Sequence, residues 1–182
     1  MKCAFLDRDG VINVDHGYVG KWEDFDFLPN AIEGLRLLQE LGYWLFIVTN
    51  QSGIARGFYS EDDFLSLTNI LKTHLQARGV TIQRTYFCPH HPSAGKGKYL
   101  KDCVCRKPKP GLIEQCVKEY NVNLEKSILI GDKMSDYLAG KAAGLGHLFL
   151  VESAYLEEQK ELVKEGLVYR DMLEVAEQIS QW

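Results

Sequence analysis

An open α/β fold with a mainly parallel sheet is what the sequence predicts, on three observations. Continuous apolar runs alternate with segments of helical periodicity. The runs are short and apolar throughout, as in strands covered on both faces. Acidic or hydroxyl-bearing residues directly follow several of them, which would place those residues at the carboxyl ends of parallel strands, where open sheets bind ligands.

The first run, residues 2–6, ends at Asp7. Next, Ile32, Leu35, Leu38 and Leu41 recur at helical spacing, with Asn30 expected as the N-cap and Gly42 as the stop. The run 43–48 (YWLFIV) reads as a second strand and is followed by Thr49. Ser60 is expected to cap a second helix. Its first turn carries Glu61, Asp62 and Asp63, which suit the positive end of the dipole, and Phe64, Leu67, Leu71 and Leu75 form its apolar stripe. Residues 84–88 suggest a third strand, and Pro110 fits the first turn of a third helix ending near Tyr120. Residues 127–130 and 147–151 read as the fourth and fifth strands, and 134–143 and 171–179 as two more helices. With no repeat, low-complexity stretch or linker, residues 1–182 are expected to form one domain. No large insertion separates the strands, so no mobile cap domain is expected. The segment 89–108, rich in Lys, Gly, His and Cys, needs something other than a core to order it.

Composition narrows the function classes. The 182 residues are 46% hydrophobic and 25% charged, with a formal net charge of −4. No block of five or six basic residues appears, which argues against sequence-independent nucleic-acid binding. No apolar run approaches the length of a membrane span, and the start MKCAFLDRDG does not read as a signal peptide. A cytoplasmic enzyme is expected, its five cysteines thiols or metal ligands before disulfides. Cys3 and Cys116 stand in apolar patterns and are expected to be buried.

The acidic rim suggests phosphoryl chemistry. In FLDRDGVIN, Asp7 and Asp9 sit just past a strand. One carboxylate can attack phosphorus while the other handles a proton, if a metal offsets their repulsion. Asp132, in ILIGDKMSD, arrives from another strand end, and oxygen ligands of this kind suit magnesium. Thr49 and Asn50 can donate hydrogen bonds to phosphoryl oxygens, and Lys107 in CRKPKPG supplies a cation. Ser52 and Arg56 lie near Thr49 in sequence and are candidate ligand contacts, as is Gln51; Arg56 is otherwise a surface charge. Arg106, with its planar fork, suits a second phosphate, unless it is solvated or structural. Neither a Walker loop nor GxGxxG is present.

Cys88 and His90 are separated by one residue, as are Cys103 and Cys105. Three thiols and an imidazole complete a tetrahedral set for structural zinc, which would staple the loop at about 88–105. His91 is the competing nitrogen, and free thiols in a mobile loop are the alternative.

DRDG, VTN, RKPKPG and GDKMSD together resemble the four motifs of the haloacid dehalogenase (HAD) superfamily of phosphatases, over residues 2 to about 151. The resemblance implies a HAD-like Rossmannoid three-layer sandwich without a large cap. It implies that Asp7 forms an aspartyl-phosphate, that Asp9 protonates the leaving oxygen and then activates water, and that Thr49 and Lys107 hold the phosphoryl group. It assigns magnesium to the Asp7 carboxylate, the Asp9 carbonyl and Asp132, with Asp136 in support. The cysteine–histidine arrangement, with DHGYV, NQSGIARG, CPHHP and CRKP, further resembles the heptose bisphosphate phosphatases and the related histidinol-phosphate phosphatases. By that resemblance Asp15, His16, Gly17 and Tyr18 contact the sugar, although Asp15 and His16 read equally well as a turn and its solvated neighbour. Arg106 and Lys133 become recognition residues on the same ground. The expected activity is hydrolysis of the 7-phosphate of a heptose bisphosphate, a step toward ADP-heptose and the lipopolysaccharide core, by a monomer acting on a small sugar bisphosphate. Histidinol-phosphate phosphatase and a non-catalytic sugar-phosphate-binding scaffold are the alternatives. Retention of Asp7, Asp9, Lys107 and Asp132 argues against the scaffold, because a binder needs no nucleophile. A phosphomutase would need a cap to keep water from its intermediate.

Overall fold

The computed structural model describes residues 1–154, 160–165 and 167–182. Among them six strands form one parallel sheet: β1 (Cys3–Leu6), β2 (Trp44–Asn50), β3 (Ile82–Cys88), β4 (Ile128–Gly131), β5 (His147–Val151) and β6 (Val168–Tyr169). Their spatial order is β3-β2-β1-β4-β5-β6, and every pairing is parallel. Parallel neighbours need crossovers, which the helices provide: α1 (Ala31–Glu40), α2 (Ser52–Arg56), α3 (Glu61–Gln76), α4 (Gly111–Glu119), α5 (Met134–Ala143), α6 (Lys160–Lys164) and α7 (Met172–Ile179).

Strand alternation sorts the core into two clusters and so gives three layers. Ala4, Leu6, Leu45, Ile47, Ile128 and Ile130 face α1, α3 and α7, meeting Leu35, Leu71 and Val175 among others. Cys3, Phe5, Phe46, Val48 and Leu129 face the opposite way, onto Leu112, Ile113 and Cys116 of α4. Gly140 of α5 lies against Leu129 and Leu148 on that second side. Cys3 and Cys116 are fully buried, as their apolar settings predict.

The five expected strands and five expected helices are all present, with differences at their ends. β6 is only two residues long and α2 only five, too short to impose a period on the sequence. Asn30 occupies the N-cap position of α1 but does not cap it. Its backbone is left-handed, with φ 61°, and its side-chain amide donates instead to Asp171 Oδ2 at 2.8 Å, tying α1 to α7. Pro110 is itself the N-cap of α4, so the helix begins at Gly111, one residue later than expected. Gly42 ends α1 as expected, with φ 85°.

Ser60 caps α3 as expected. Its hydroxyl accepts from the Asp63 N–H at 3.1 Å, and Asp63 Oδ2 accepts from the Ser60 N–H at 2.8 Å. Ser60→Ala should therefore lower stability by about 1 kcal/mol. That corresponds to a drop in Tm of about 2–4 °C for a chain of this size, measurable by calorimetry.

Candidate active site

The strand order reverses at β1. The chain moves outward through β2 and β3 on one side, then returns to place β4 on the other. A crevice opens at the carboxyl end of such a switch point, and Asp7 after β1 and Asp132 after β4 both stand there. Two glycines let the acids converge. A Cβ on Gly10 would strike the Asp132 carboxylate, and one on Gly131 would strike Asp136. Asp7, Asp132 and Asp136 are all buried, and each offers an oxygen within 4.8 Å of the others.

Lys107 enters this acidic cluster as a buried side chain. Its ammonium donates to Val48 O at 2.8 Å and pairs with Asp7 Oδ1 at 3.0 Å and with Asp136 Oδ1. Burial opposes its charge, but Asp136 and Asp7 outweigh burial and hold its pKa above the ordinary lysine range. Burial pushes Asp7 up to about 6 despite Lys107, and pushes Asp132 up to about 8 with Asp7 adding repulsion. Asp136 Oδ2 accepts from the backbone N–H groups of Asp132 and Lys133 at 3.3 and 3.0 Å, so this carboxylate braces the β4–α5 turn.

Asp9 is held apart from that cluster. Its Oδ1 accepts from Arg8 at 2.8 Å and from Asn13 at 3.0 Å, and its Oδ2 accepts from Gln51 Nε2 at 2.9 Å. Asn50 and Gln51 line the cavity of this site, and their side chains are also engaged within the protein. Asn50 exchanges two hydrogen bonds with the Lys107 peptide, at 3.0 and 3.1 Å, and so fixes that lysine against β2. Gln51 bonds to Asp9, Thr49 and Tyr59.

Asp7, Asp9 and Lys107 open into a cavity of about 520 Å³. Asp15, Gly17 and Tyr18 form one wall, Ser52 and Arg56 of α2 another, and Arg106 and Lys133 complete the cationic lining. Lys133 pairs with Asp15 at 3.1 Å. Burial would raise Asp15, yet Lys133 and the Gly17 N–H hold it below the usual carboxylate range. Thr49 and Asp132 are buried behind this lining. His16 is not brought to the cavity; its Nε2 lies 2.7 Å from Asp26 Oδ2 on an exposed face. Gly17, at φ 79°, turns the chain between His16 and Tyr18.

The structure adds residues that sequence reasoning missed: Gly53, Tyr59, His91 and Ser135 also line the cavity. His91 Nδ1 accepts from the N–H groups of Ser93 and Ala94, so its remaining nitrogen is the N–H donor. The pair HH in CPHHP was the available signal, once one histidine is spent on the thiols.

That histidine is His90. Cys88, Cys103 and Cys105 place their sulfurs 3.2–3.4 Å apart, and His90 Nδ1 lies 3.8 Å from Cys88 and 3.6 Å from Cys105. The hydrogen bond shared with Cys88 lowers Cys105 to about 5. A tetrahedron with Zn–S bonds of about 2.3 Å has edges of about 3.8 Å, and these four groups fit it after small adjustment. The oxygen-only set of Asp7, Asp132 and Asp136 fits a hard divalent cation in the same way.

A family model described as HAD-hydrolase-like matches residues 104–174. The D-glycero-beta-D-manno-heptose-1,7-bisphosphate 7-phosphatase of Pasteurella multocida is 51% identical over 152 residues, covering 84% of this chain and 82% of its own. The chain belongs to the heptose-1,7-bisphosphate 7-phosphatase family of HAD phosphatases. The alpha-named 7-phosphatase of Photorhabdus laumondii is 47% identical, covering 85% of each chain. Among solved structures, D,D-heptose 1,7-bisphosphate phosphatase from B. bronchiseptica, complexed with magnesium and phosphate, superposes with a TM-score of 0.83 at 30% identity. It covers 100% of this chain and 99% of its own. The family's fold is therefore the one that the sheet order and three layers describe.

The raised carboxyl groups have a consequence for stability. Between the ordinary aspartate value and their values of about 6 and about 8, folded Asp7 and Asp132 retain protons that the unfolded chain releases. Stability contributed by these groups is thus present at low pH and is lost as pH rises through the folded values. The Tm of metal-free protein should fall between pH 5 and pH 8, and Asp132→Asn should flatten that slope. An equal slope in the variant would refute the assignment.

Proposed function

We propose that this enzyme hydrolyses the 7-phosphate of D-glycero-D-manno-heptose 1,7-bisphosphate and leaves the 1-phosphate in place. The carrying observation is one cavity that joins the buried Asp7–Lys107 pair to a second set of cations, Arg56 and Arg106. A substrate with two phosphates has a use for both ends of such a cavity, and the names of the relatives specify that substrate class.

Asp7 is the nucleophile. Its carboxylate forms a bond to phosphorus as the bond from phosphorus to the sugar oxygen breaks, and protonated Asp9 gives its proton to that oxygen. Asp9, now a carboxylate, takes a proton from water as the water oxygen bonds to phosphorus and the Asp7–phosphorus bond breaks. Inorganic phosphate leaves, and Asp9 is again protonated. Lys107 and the Thr49 hydroxyl hold the transferred group. Magnesium would be held by the Asp7 carboxylate, the Asp9 carbonyl and Asp132, and when bound it offsets charge on the carboxylates and the phosphoryl oxygens. Zinc on Cys88, His90, Cys103 and Cys105 is structural, since four protein ligands leave no open position. One chain lines the cavity, which supports a monomer as the catalytic unit. The cysteines of the described residues are all free, which suits a reducing cytoplasm.

Asp7→Asn should lower turnover by roughly three orders of magnitude or more. Asp9→Asn should lower it by about 10²–10⁴-fold. Arg106→Ala removes a charged hydrogen-bond donor worth about 1.5–3 kcal/mol, or roughly ten- to a hundredfold, and should act on the bisphosphate but not on a heptose monophosphate lacking the 1-phosphate. Measured kcat/KM values for both substrates decide this, and equal losses would reject the role of Arg106.

Metal analysis of purified protein should find close to one tightly held zinc per chain. Cys103→Ser should release it and increase amide exchange across residues 89–108. Protein without tightly held metal, whose loop exchange the substitution leaves unchanged, would remove the zinc assignment.

A further inference from the structure

Gln51 makes three hydrogen bonds whose directions are fixed by chemistry. The atom facing Asp9 is the amide nitrogen, which donates to Oδ2 at 2.9 Å. The same nitrogen donates its other hydrogen to Thr49 Oγ1, also at 2.9 Å. The amide oxygen must then accept, and the Tyr59 hydroxyl donates to it at 2.5 Å. Burial raises the Tyr59 pKa, so this hydroxyl keeps its proton. Gln51 and Tyr59 are both buried.

The Tyr59 ring is seated in a slot that only glycine permits on either side. A Cβ on Gly20 or on Gly53 would overlap the ring. Gly53 belongs to α2, and Gly20 lies just beyond the Asp15, Gly17 and Tyr18 wall. Arg8 contacts both Asp9 oxygens and Asn13 holds Oδ1, while Gln51 adds a second donor at Oδ2 from the side of Thr49. Receiving a hydrogen from Gln51 also occupies one lone pair of Thr49, which leaves the Thr49 proton available to a phosphoryl oxygen.

We propose that Gln51, locked by Tyr59, is a positioning residue that orients both the acid–base Asp9 and the donor hydroxyl of Thr49. This rests on the role given to Asp9 above. One amide thereby couples proton transfer at the leaving oxygen to the grip on the transferred group.

Leaving-group dependence tests the proposal. A sugar oxygen is a poor leaving group and needs the acid, whereas p-nitrophenolate leaves without it. Tyr59→Phe keeps the ring in its slot, and Gln51→Ala removes the amide. In each variant kcat/KM for the heptose bisphosphate should fall about tenfold more than kcat/KM for p-nitrophenyl phosphate. The double variant should lose no more than Gln51→Ala alone, because Tyr59 acts through Gln51. Equal losses on the two substrates, or additive losses in the double variant, would overturn the proposal. Asp9→Asn serves as the reference. If it shows the leaving-group dependence and the other two do not, the positioning role fails alone. If Asp9→Asn also hits both substrates equally, the acid role of Asp9 fails, and the proposal with it.

Discussion

A buried ammonium, that of Lys107, sits between the carboxylates of Asp7 and Asp136 and beside the Val48 carbonyl. Those partners come from the end of β1, from α5 and from β2. Leaving a buried charge unpaired typically costs about 3–5 kcal/mol, so one ammonium keeps these elements in register at the sheet's switch point. Its charge is also insufficient for its surroundings. Asp7, Asp132 and Asp136 share the space, and burial and mutual repulsion raise Asp7 and Asp132 toward protonation. A site with this excess of negative charge suits a divalent cation first and a phosphoryl group after it.

The loop that delivers Lys107 has little apolar content of its own and carries the thiol–imidazole cluster. Cys88 closes β3, so the thiol–imidazole cluster is anchored directly to the sheet. Cys105 stands two residues before Lys107, with Arg106 between them. Asn50 then clamps the Lys107 peptide from the end of β2. The same loop brings His91 to the cavity, with its ring oriented by the Ser93 and Ala94 N–H groups. The thiol–imidazole cluster thus lies within two residues of the cation of the acidic site.

Much of this was legible in the sequence because it is local. A buried strand followed at once by an acid identifies Asp7 and Asp132, and paired Cys and His residues identify the cluster. The layers follow from strand alternation, and the α3 cap from Ser60 and Asp63. Side-chain direction was not legible. Asn50 and Gln51 were expected at the ligand and do line the cavity, but their bonds to the Lys107 peptide, Asp9, Thr49 and Tyr59 could not be read from the sequence. Asp15 reaches the cavity while its neighbour His16 turns to Asp26, because a left-handed glycine redirects the chain just beyond them. Tyr59 gave no sequence signal, since its role depends on Gly20 and Gly53 meeting around its ring. β6 is too short for any periodicity to reveal.

The central claim is that Asp7 takes the phosphoryl group in covalent form. Acid quenching during single turnover of a heptose bisphosphate, followed by mass spectrometry, tests it directly. The peptide containing Asp7 should gain the mass of one phosphoryl group and lose it as phosphate is released, while Asp7→Asn should gain none. Phosphate release with no phosphorylated Asp7 peptide at any quench time, and with inversion of configuration at phosphorus, would contradict the account.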